Sequence, residues 1–246
     1  EFFQVTDITP FLLFTPVWIL GTLLAINSGF LHGNLKFAFL ALLLLVEAVS
    51  KLLISILFVS LGLTAYVYTA IPISISLALM VSWLVIHVVA KSAVAQDIKE
   101  AKRFPMRFFI SSIFSKLSTI SFLSLDVILV KHFLPPIEAG QYALLSLVGK
   151  MIYFAGMLFS QFILPLVSRA EGQGKATKQI FYPFLFLTIF VISLGFIFLG
   201  LFGHITIPHL FGSSASQVVP FLPVYTLGMS YFTIATTIVL YHQAIK

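Results

Sequence analysis

The sequence contains no cysteine, and charged residues make up only 9% of its 246 positions. The absence of cysteine excludes disulfides, thiol nucleophiles and thiolate metal sites. The scarcity of charge, together with 60% hydrophobic residues and a mean hydropathy of +1.10, excludes an ordinary soluble domain. Metalloprotease, serine-hydrolase, Walker and dinucleotide-binding motifs are also absent. We therefore expect a membrane protein that is not an enzyme and has no bound cofactor.

Long apolar runs fill most of the chain, and each is sufficient to cross a hydrocarbon core about 30 Å thick. Leu, Ile, Phe and Ala dominate these runs and strand-like alternation is rare, so α-helices are expected. The predicted spans are residues 8–30, 36–60, 64–90, 107–131, 137–166, 179–203 and 216–242. The predicted fold class is therefore all-α, a polytopic transmembrane helical bundle of seven spans embedded in a lipid bilayer.

Lysine and arginine are concentrated in alternate links between these spans. Most of the 14 basic residues follow the first, third, fifth and seventh spans. Cytoplasmic loops carry such an excess, so these links are predicted to face the cytoplasm. The net charge of +6 then reflects topology rather than nucleic-acid binding. We expect a multi-pass protein of the cytoplasmic (inner) membrane.

An internal similarity indicates two helical lobes. Residues 16–21 read PVWILG and residues 223–228 read PVYTLG, and both spans end with a His and a following Lys. An even number of spans separates the two motifs, which would give the halves one orientation, as in transporters with parallel repeats. The predicted domains are three spans of a first lobe at 1–90, a cytoplasmic connector at 91–107 and four spans of a second lobe at 108–246.

Charged side chains inside the apolar runs are the strongest indication of function. A charge at the centre of a bilayer costs about 3 kcal/mol or more, so it faces protein or a water-filled cavity. Glu47 and Lys51 are spaced to share one helical face, where they either pair with each other or line such a cavity. Lys116 and Lys150 have no acid nearby in the sequence, which favours a cavity role. For Asp126, close to the outer surface, a structural role is equally consistent.

Polar side chains also repeat at helical spacing on several spans, which is typical of helices around a hydrophilic passage. The residues predicted to line it are Lys51, Lys116, Lys150, Glu47, Asp126, Thr119, Tyr153, Ser230 and Thr233. The deep lysines outnumber Glu47, so this passage is expected to be cationic and to suit an anionic cargo. The six histidines are scattered near span ends, and no metal site is expected.

Two stretches in the second half of the chain carry a family resemblance. The residues LDVILVKHFLPPIEAGQYALLSLVGK at 125–150, followed by ILPLVSRAEGQGK at 163–175, resemble the flippases of the multidrug/oligosaccharidyl-lipid/polysaccharide exporter superfamily. The matching residues are Asp126, Glu138, Ala139, Gly140, Tyr142, Ala143, Pro165 and Ser168. The resemblance implies spans four to ten of a longer transporter, with two six-helix lobes around a cavity that opens alternately to each side.

The function implied by the resemblance is a flippase that moves a lipid-linked polysaccharide or oligosaccharide precursor outward. Its substrate would be an anionic lipid-linked glycan, and its partners would include polysaccharide assembly proteins. One alternative is a multidrug exporter of the same superfamily, in which Glu47 or Asp126 binds a coupling proton or Na⁺. Another is a membrane-embedded glycan polymerase, ligase or acyltransferase, although such enzymes need a larger external loop than any predicted here.

Overall fold

The computed structural model describes residues 9–93 and 106–245, and every regular element within these ranges is helical. The α-helices are α1 (Thr9–Phe14), α2 (Pro16–Gly33), α3 (Phe37–Ser60), α4 (Ala70–Ala93), α5 (Met106–Phe133), α6 (Pro136–Ser160), α7 (Ile163–Gly172), α8 (Lys178–Gly195), α9 (Gly203–Phe211) and α10 (Leu222–Ala244). Short 3₁₀ segments lie at Thr64–Thr69 and Ser213–Phe221, and a π-helical turn at Phe196–Leu201 follows α8. The predicted all-α fold is confirmed.

Seven segments within the described ranges are long and apolar enough to cross a membrane. They are Leu12–Gly33, Phe37–Ser60, Tyr66–Val89, Met106–Phe133, Pro136–Gly172, Lys178–Leu201 and Ala215–Ala244. Each corresponds to one predicted span. Their outer faces carry large apolar side chains such as Trp18, Leu84 and Phe186, which are 76%, 70% and 72% exposed. Water opposes such exposure whereas lipid tails do not, so the surface fits a polytopic membrane protein.

Proline determines where several of these helices begin. Pro16, Pro136 and Pro223 lie in the first turns of α2, α6 and α10. The first backbone N–H groups of a helix have no intrahelical partner, so a residue without an N–H costs nothing there. Pro183 differs because it lies inside α8. The helix starts are therefore encoded locally, by the residues that open each span.

The helices form two compact units, α1–α4 and α5–α10. In the first unit, Leu31, Leu43 and Val85 belong to one buried apolar cluster. Asn27 of α2 donates a hydrogen bond from Nδ2 to Ser82 Oγ of α4 over 2.7 Å. The predicted connector at 91–107 lies largely outside the described residues, and the assignment of the units to six-helix lobes stays a prediction.

The second unit is built around α6 and α10, which run parallel and pack closely. A Cβ atom at Gly156 would lie 2.6 Å from Thr233 Cγ2, so the missing side chain permits the close approach. One turn further along both helices, Ser160 Oγ lies 2.7 Å from Thr237 Oγ1. Small residues and interhelical hydroxyl contacts are the usual means of joining helices in lipid, where the hydrophobic effect does not drive association.

Helix α5 stands apart from this core. None of the side chains described in α5 is buried. The helix packs beside α6 and makes fewer contacts with α10, to which it runs antiparallel. An open cleft consequently remains between α5 and α10, and the candidate site lies along it.

Candidate functional site

A charged cluster joins α5, α6 and α10 within their apolar segments. Lys150 Nζ lies 3.3 Å from Asp126 Oδ1, and the two side chains are only 13% and 22% exposed. The other carboxylate oxygen accepts hydrogen bonds from the hydroxyls of Tyr142 at 3.2 Å, Ser146 at 3.1 Å and Tyr225 at 2.9 Å. Hydrogen bonds to an ionised group are the strong ones, and together they replace the hydration that a carboxylate loses on burial.

The α6 side of this cluster follows directly from helical geometry. Tyr142, Ser146 and Lys150 are each four residues apart, so all three project from one face of the helix. The turn between α5 and α6 at Leu134–Pro135 folds that face back onto Asp126. Of these three residues, only Lys150 was among the predicted passage residues. Tyr142 could have been added to the cluster, because it extends the same spacing by one turn.

Gly149 allows Tyr225 of α10 to reach the cluster. A Cβ atom at Gly149 would overlap the ring of Tyr225, so no larger residue fits without moving it. The Tyr225 hydroxyl lies 3.0 Å from Ser146 Oγ, and its ring meets Tyr142 edge to face with centroids 6.2 Å apart. Sequence reasoning missed Tyr225 as a functional residue, since only the packing of α10 on α6 brings it to Asp126.

The cleft between α5 and α10 contains two adjacent cavities. The first, which we call the Asp126 cavity, has a volume of about 720 Å³ and is mainly apolar. Its lining is Ser118, Ser121, Phe122, Leu125, Asp126, Tyr142, Val224, Tyr225, Gly228 and Met229. The second, the serine cavity, measures about 540 Å³ and is lined by Ser111, Ser115, Ser118, Thr119, Phe122, Phe232, Ala235, Thr236, Val239, His242 and Gln243. Both volumes are typical of small-molecule sites.

Stacked aromatic rings lie where the two cavities meet. Phe122 of α5 and Phe232 of α10 lie nearly parallel, with an interplanar angle of 13° and centroids 4.2 Å apart. The Tyr153 ring of α6 packs on Phe232 at 5.4 Å. Phe122 lines both cavities, whereas Phe232 lines the serine cavity. The stack therefore bridges the cleft and connects α5 to α10.

Several of the predicted passage residues lie at this cleft. Asp126 and Lys150 form the ion pair, and Thr119 lines the serine cavity. Tyr153 is buried behind Phe232. Lys116 is exposed on α5 but, among the described side chains, does not line either cavity. Its part in a passage stays a prediction.

Ser230 and Thr233 are buried on the side of α10 away from this cleft. Their hydroxyls donate to the backbone carbonyls of Thr226 and Met229 over 2.8 Å and 2.7 Å. Ser230 lines a smaller cavity of about 260 Å³ toward α8, and Thr233 packs against Gly156. Both side chains are satisfied within α10 and contribute to helix packing, so their place in a passage also stays a prediction.

The structure adds two observations about the surroundings of the lysines. Lys150 has no acid nearby in the sequence, but the α5–α6 turn brings Asp126 to it, and this carboxylate neutralises one of the three deep lysines. Glu47 and Lys51, on α3 of the other unit, do not pair with each other. Within the described ranges, Asp126–Lys150 is the only ion pair shorter than 4.0 Å. Spacing on one face permits a contact, whereas the rotamers of both long side chains decide whether it forms.

Metal chemistry finds no support in this part of the chain. Within residues 9–93 and 106–245, no group of three or more His, Asp or Glu side chains could hold a metal ion. The site therefore consists of a compensated ion pair, hydroxyl groups and aromatic rings beside an open cleft. Such groups can bind and position a ligand or a small cation.

Comparison with known proteins adds no family to this description. No protein-family model matches the chain, and no curated protein or solved structure matches it either. The structure shows a helical protein with seven segments able to cross a membrane. The resemblance to the flippases therefore remains a hypothesis.

Proposed function

We propose that the protein is a transporter that moves a lipid-linked polysaccharide or oligosaccharide precursor across the cytoplasmic membrane by alternating access. The observation that carries this proposal is the cleft between α5 and α10. One of its cavities is mainly apolar, the other is rich in hydroxyl groups, and an ion pair lies beside them. A cleft of mixed polarity along two apolar helices suits an amphiphile better than a lipid tail or a polar solute alone.

The charged groups give the cleft a way to recognise an anionic head group. The Lys150 ammonium now binds Asp126, and diphosphate oxygens could compete with that carboxylate for the same donor. Lys116 is exposed and forms no ion pair within the described residues, so it adds uncompensated positive charge to α5. The local field then favours an anion, as the proposal requires.

The weak packing of α5 supports the alternating-access part of the proposal. This helix buries none of its described side chains, and the Phe122–Phe232 stack and the Tyr225–Asp126 hydrogen bond connect it to α10. A helix held by a few discrete contacts can shift between two packed arrangements more readily than one inside a core. Movement of α5 would widen the cleft on one side while the stack closes the other.

A cation-coupled exporter is the second candidate, and the surroundings of Asp126 favour it. The carboxylate is held by one ammonium and three hydroxyls. A proton or Na⁺ could take the place of the Lys150 ammonium while the three hydroxyls stay bound to the carboxylate. Acidic residues inside transmembrane segments commonly serve as such ion sites. In this alternative, Asp126→Asn abolishes coupled efflux, whereas in the flippase it mainly releases Lys150.

Complementation of a flippase-deficient bacterial strain tests the first proposal. The complete reading frame is expressed, and surface glycan is scored together with the amount of protein in the membrane. Lys116→Ala and Lys150→Ala should each reduce surface glycan relative to the amount of protein in the membrane. Arginine should be tolerated better than glutamine at both positions, because the positive field matters more than one hydrogen-bond geometry.

The matched control is Lys178→Ala, which removes an exposed lysine at the start of α8 outside the cleft. Surface glycan should remain normal in this variant. The double variant with alanine at Lys116 and Lys150 decides the mechanism. If it restores full surface glycan, the cationic passage is rejected and both lysines are structural.

A further inference from the structure

The serine cavity offers hydrogen bonds without charge. Its described lining contains no Asp, Glu, Lys or Arg. Polar groups come from both helices: hydroxyls from α5 and Thr236, an imidazole from His242 and an amide from Gln243. The charged groups of the site lie elsewhere, at the Asp126–Lys150 pair. The serine cavity is therefore suited to the uncharged, hydrogen-bonding part of a ligand.

Three of its serines are available to a ligand. The neighbouring hydroxyls of Thr119 and Thr236 donate over 2.9 Å to backbone carbonyls one turn earlier, the usual arrangement for such residues in a helix. The side chains of Ser111, Ser115 and Ser118 form no hydrogen bond within the described part of the chain. Their spacing of four and three residues directs all three hydroxyls to one face, toward the cleft.

Free hydroxyls at this position indicate what occupies the cavity. An unpaired hydroxyl in an apolar environment costs about 1–3 kcal/mol, and lipid tails offer it no partner. Several such groups on one wall therefore favour water or a polar ligand in the space beside them. A hydrocarbon chain would leave these hydroxyls unpaired in the serine cavity, whereas the Asp126 cavity next to it has fewer polar groups and suits such a chain better.

An aromatic platform closes one end of the serine cavity. Phe122 and Phe232 both line it, and their stacked rings are held from behind by Tyr153. A pyranose ring has an apolar face of C–H groups and a rim of hydroxyls. The C–H face can pack on the face of Phe122 turned away from Phe232, while serine, amide and imidazole groups bond the hydroxyls. The cavity volume of about 540 Å³ is adequate for a small glycan unit.

We propose that the serine cavity is a sugar-binding subsite for an uncharged glycosyl unit of the transported lipid. The inference rests on the proposed function, because it assigns part of that substrate to part of the same cleft. In this arrangement, two parts of the substrate are bound at two places in the cleft. The serine cavity reads sugar hydroxyls, and the lysines interact with the anionic diphosphate.

The absence of native cysteine permits a direct test. Ser115→Cys places a single thiol in the serine cavity, and Ser121→Cys places one on the same helix in the Asp126 cavity. The full chain is inserted into lipid nanodiscs and alkylated with N-ethylmaleimide. The probes, used below micellar concentration, are octyl glucoside, tetraethylene glycol octyl ether and octyl phosphate.

Octyl glucoside at ten times its dissociation constant should slow alkylation of the Ser115→Cys variant about tenfold, since only the unliganded fraction reacts. The glycol ether has the same alkyl chain without a sugar and should slow it less than about twofold at equal concentration. The Ser121→Cys variant should respond equally to both probes, because the Asp126 cavity contacts only their common chain. Adding Gln243→Ala should weaken the protection by octyl glucoside at Ser115→Cys.

Three results would overturn the subsite: equal protection by glucoside and glycol ether, stronger protection by octyl phosphate, or no alkylation of Ser115→Cys without ligand. The last would mean that the cavity is dry. Failure of the subsite can be distinguished from failure of the proposed function. Normal complementation without sugar protection rejects the subsite alone, whereas sugar protection without complementation rejects glycan transport alone.

Discussion

Replacing Gly149 by alanine tests how Tyr225 is held against Asp126. Alanine favours an α-helix over glycine by about 1 kcal/mol, so the helix itself should gain stability. The new Cβ atom, however, overlaps the Tyr225 ring, and overpacking costs about 1–3 kcal/mol. Displacement of the ring also breaks its 2.9 Å hydrogen bond to the carboxylate, and such bonds to charged groups contribute about 1.5–3 kcal/mol. We expect a net loss of about 1.5–5 kcal/mol.

Gly140→Ala is the matched control on the same helix. A Cβ atom there meets no heavy atom within 4 Å, so this variant should be unchanged or more stable by up to about 1 kcal/mol. The free energy of unfolding is measured by circular dichroism during titration of lipid–detergent micelles with dodecyl sulfate. The difference between the two alanine variants then isolates the effect of Tyr225.

A double-mutant cycle assigns the loss to this contact. In a Tyr225→Ala background the overlapping ring is gone, so Gly149→Ala should become neutral or stabilising. Met229 Cγ would lie 3.3 Å from the new Cβ, but a flexible thioether side chain can adjust. Equal losses in the two backgrounds, or a Gly149→Ala variant as stable as Gly140→Ala, would refute the reasoning.

Three further predictions concern the ion pair, helix packing and topology. Asp126→Asn and Lys150→Met should each lower the free energy of unfolding more than the double variant does, since a lone charge in a span costs more than none; additive losses in dodecyl sulfate titrations would exclude a coupled pair. Thr237→Val removes a 2.7 Å contact to α6 and should cost about 0.6–1.7 kcal/mol in the same titrations; an unchanged unfolding midpoint would contradict the contact. A cysteine in 171–176 should be labelled only from the cytoplasm and one in 213–216 only from outside; the reverse would overturn the orientation.

Hydropathy was sufficient to predict the spans because the bilayer places the same requirement on every spanning segment, independently of the other segments. A helix of about 20 residues must be apolar throughout, and no knowledge of its neighbours is needed to recognise it. Interruptions of a helix within one span cannot be predicted in this way. The fifth span was predicted as one segment, whereas the structure ends α6 at Ser160 and begins α7 at Ile163. The segment Pro136–Gly172 is apolar enough to count as a single span, so hydropathy does not reveal the break between the two helices.

The face of each helix that lines the cleft was harder to predict. Polarity alone selected Ser230 and Thr233, whose hydroxyls donate to backbone carbonyls within α10, and their place in a passage stays a prediction. The cleft face of α10 instead carries Tyr225 and Phe232, which hydropathy does not distinguish from lipid-facing residues. Likewise, the Asp126–Lys150 pair depends on the register of one helix against another, which is a tertiary property.

The central claim is that the cleft between α5 and α10 is the path of the lipid-linked glycan. It is tested most directly by blocking the cleft in proteoliposomes that contain the protein from its complete reading frame. Movement of a fluorescent polyprenyl-diphosphate glycan between leaflets is followed by chemical quenching of the outer leaflet. The cysteine variants are measured before and after reaction with a bulky maleimide.

Unmodified Ala235→Cys, at a lining position of the serine cavity that has no hydrogen-bonding group, should move the lipid at the wild-type rate, and the modified variant should fall to the rate of protein-free vesicles. Modified Lys178→Cys, which carries the same group outside the cleft, should keep the wild-type rate. Wild-type movement by the modified Ala235→Cys protein would contradict the account, because the glycan would then cross the membrane by another route.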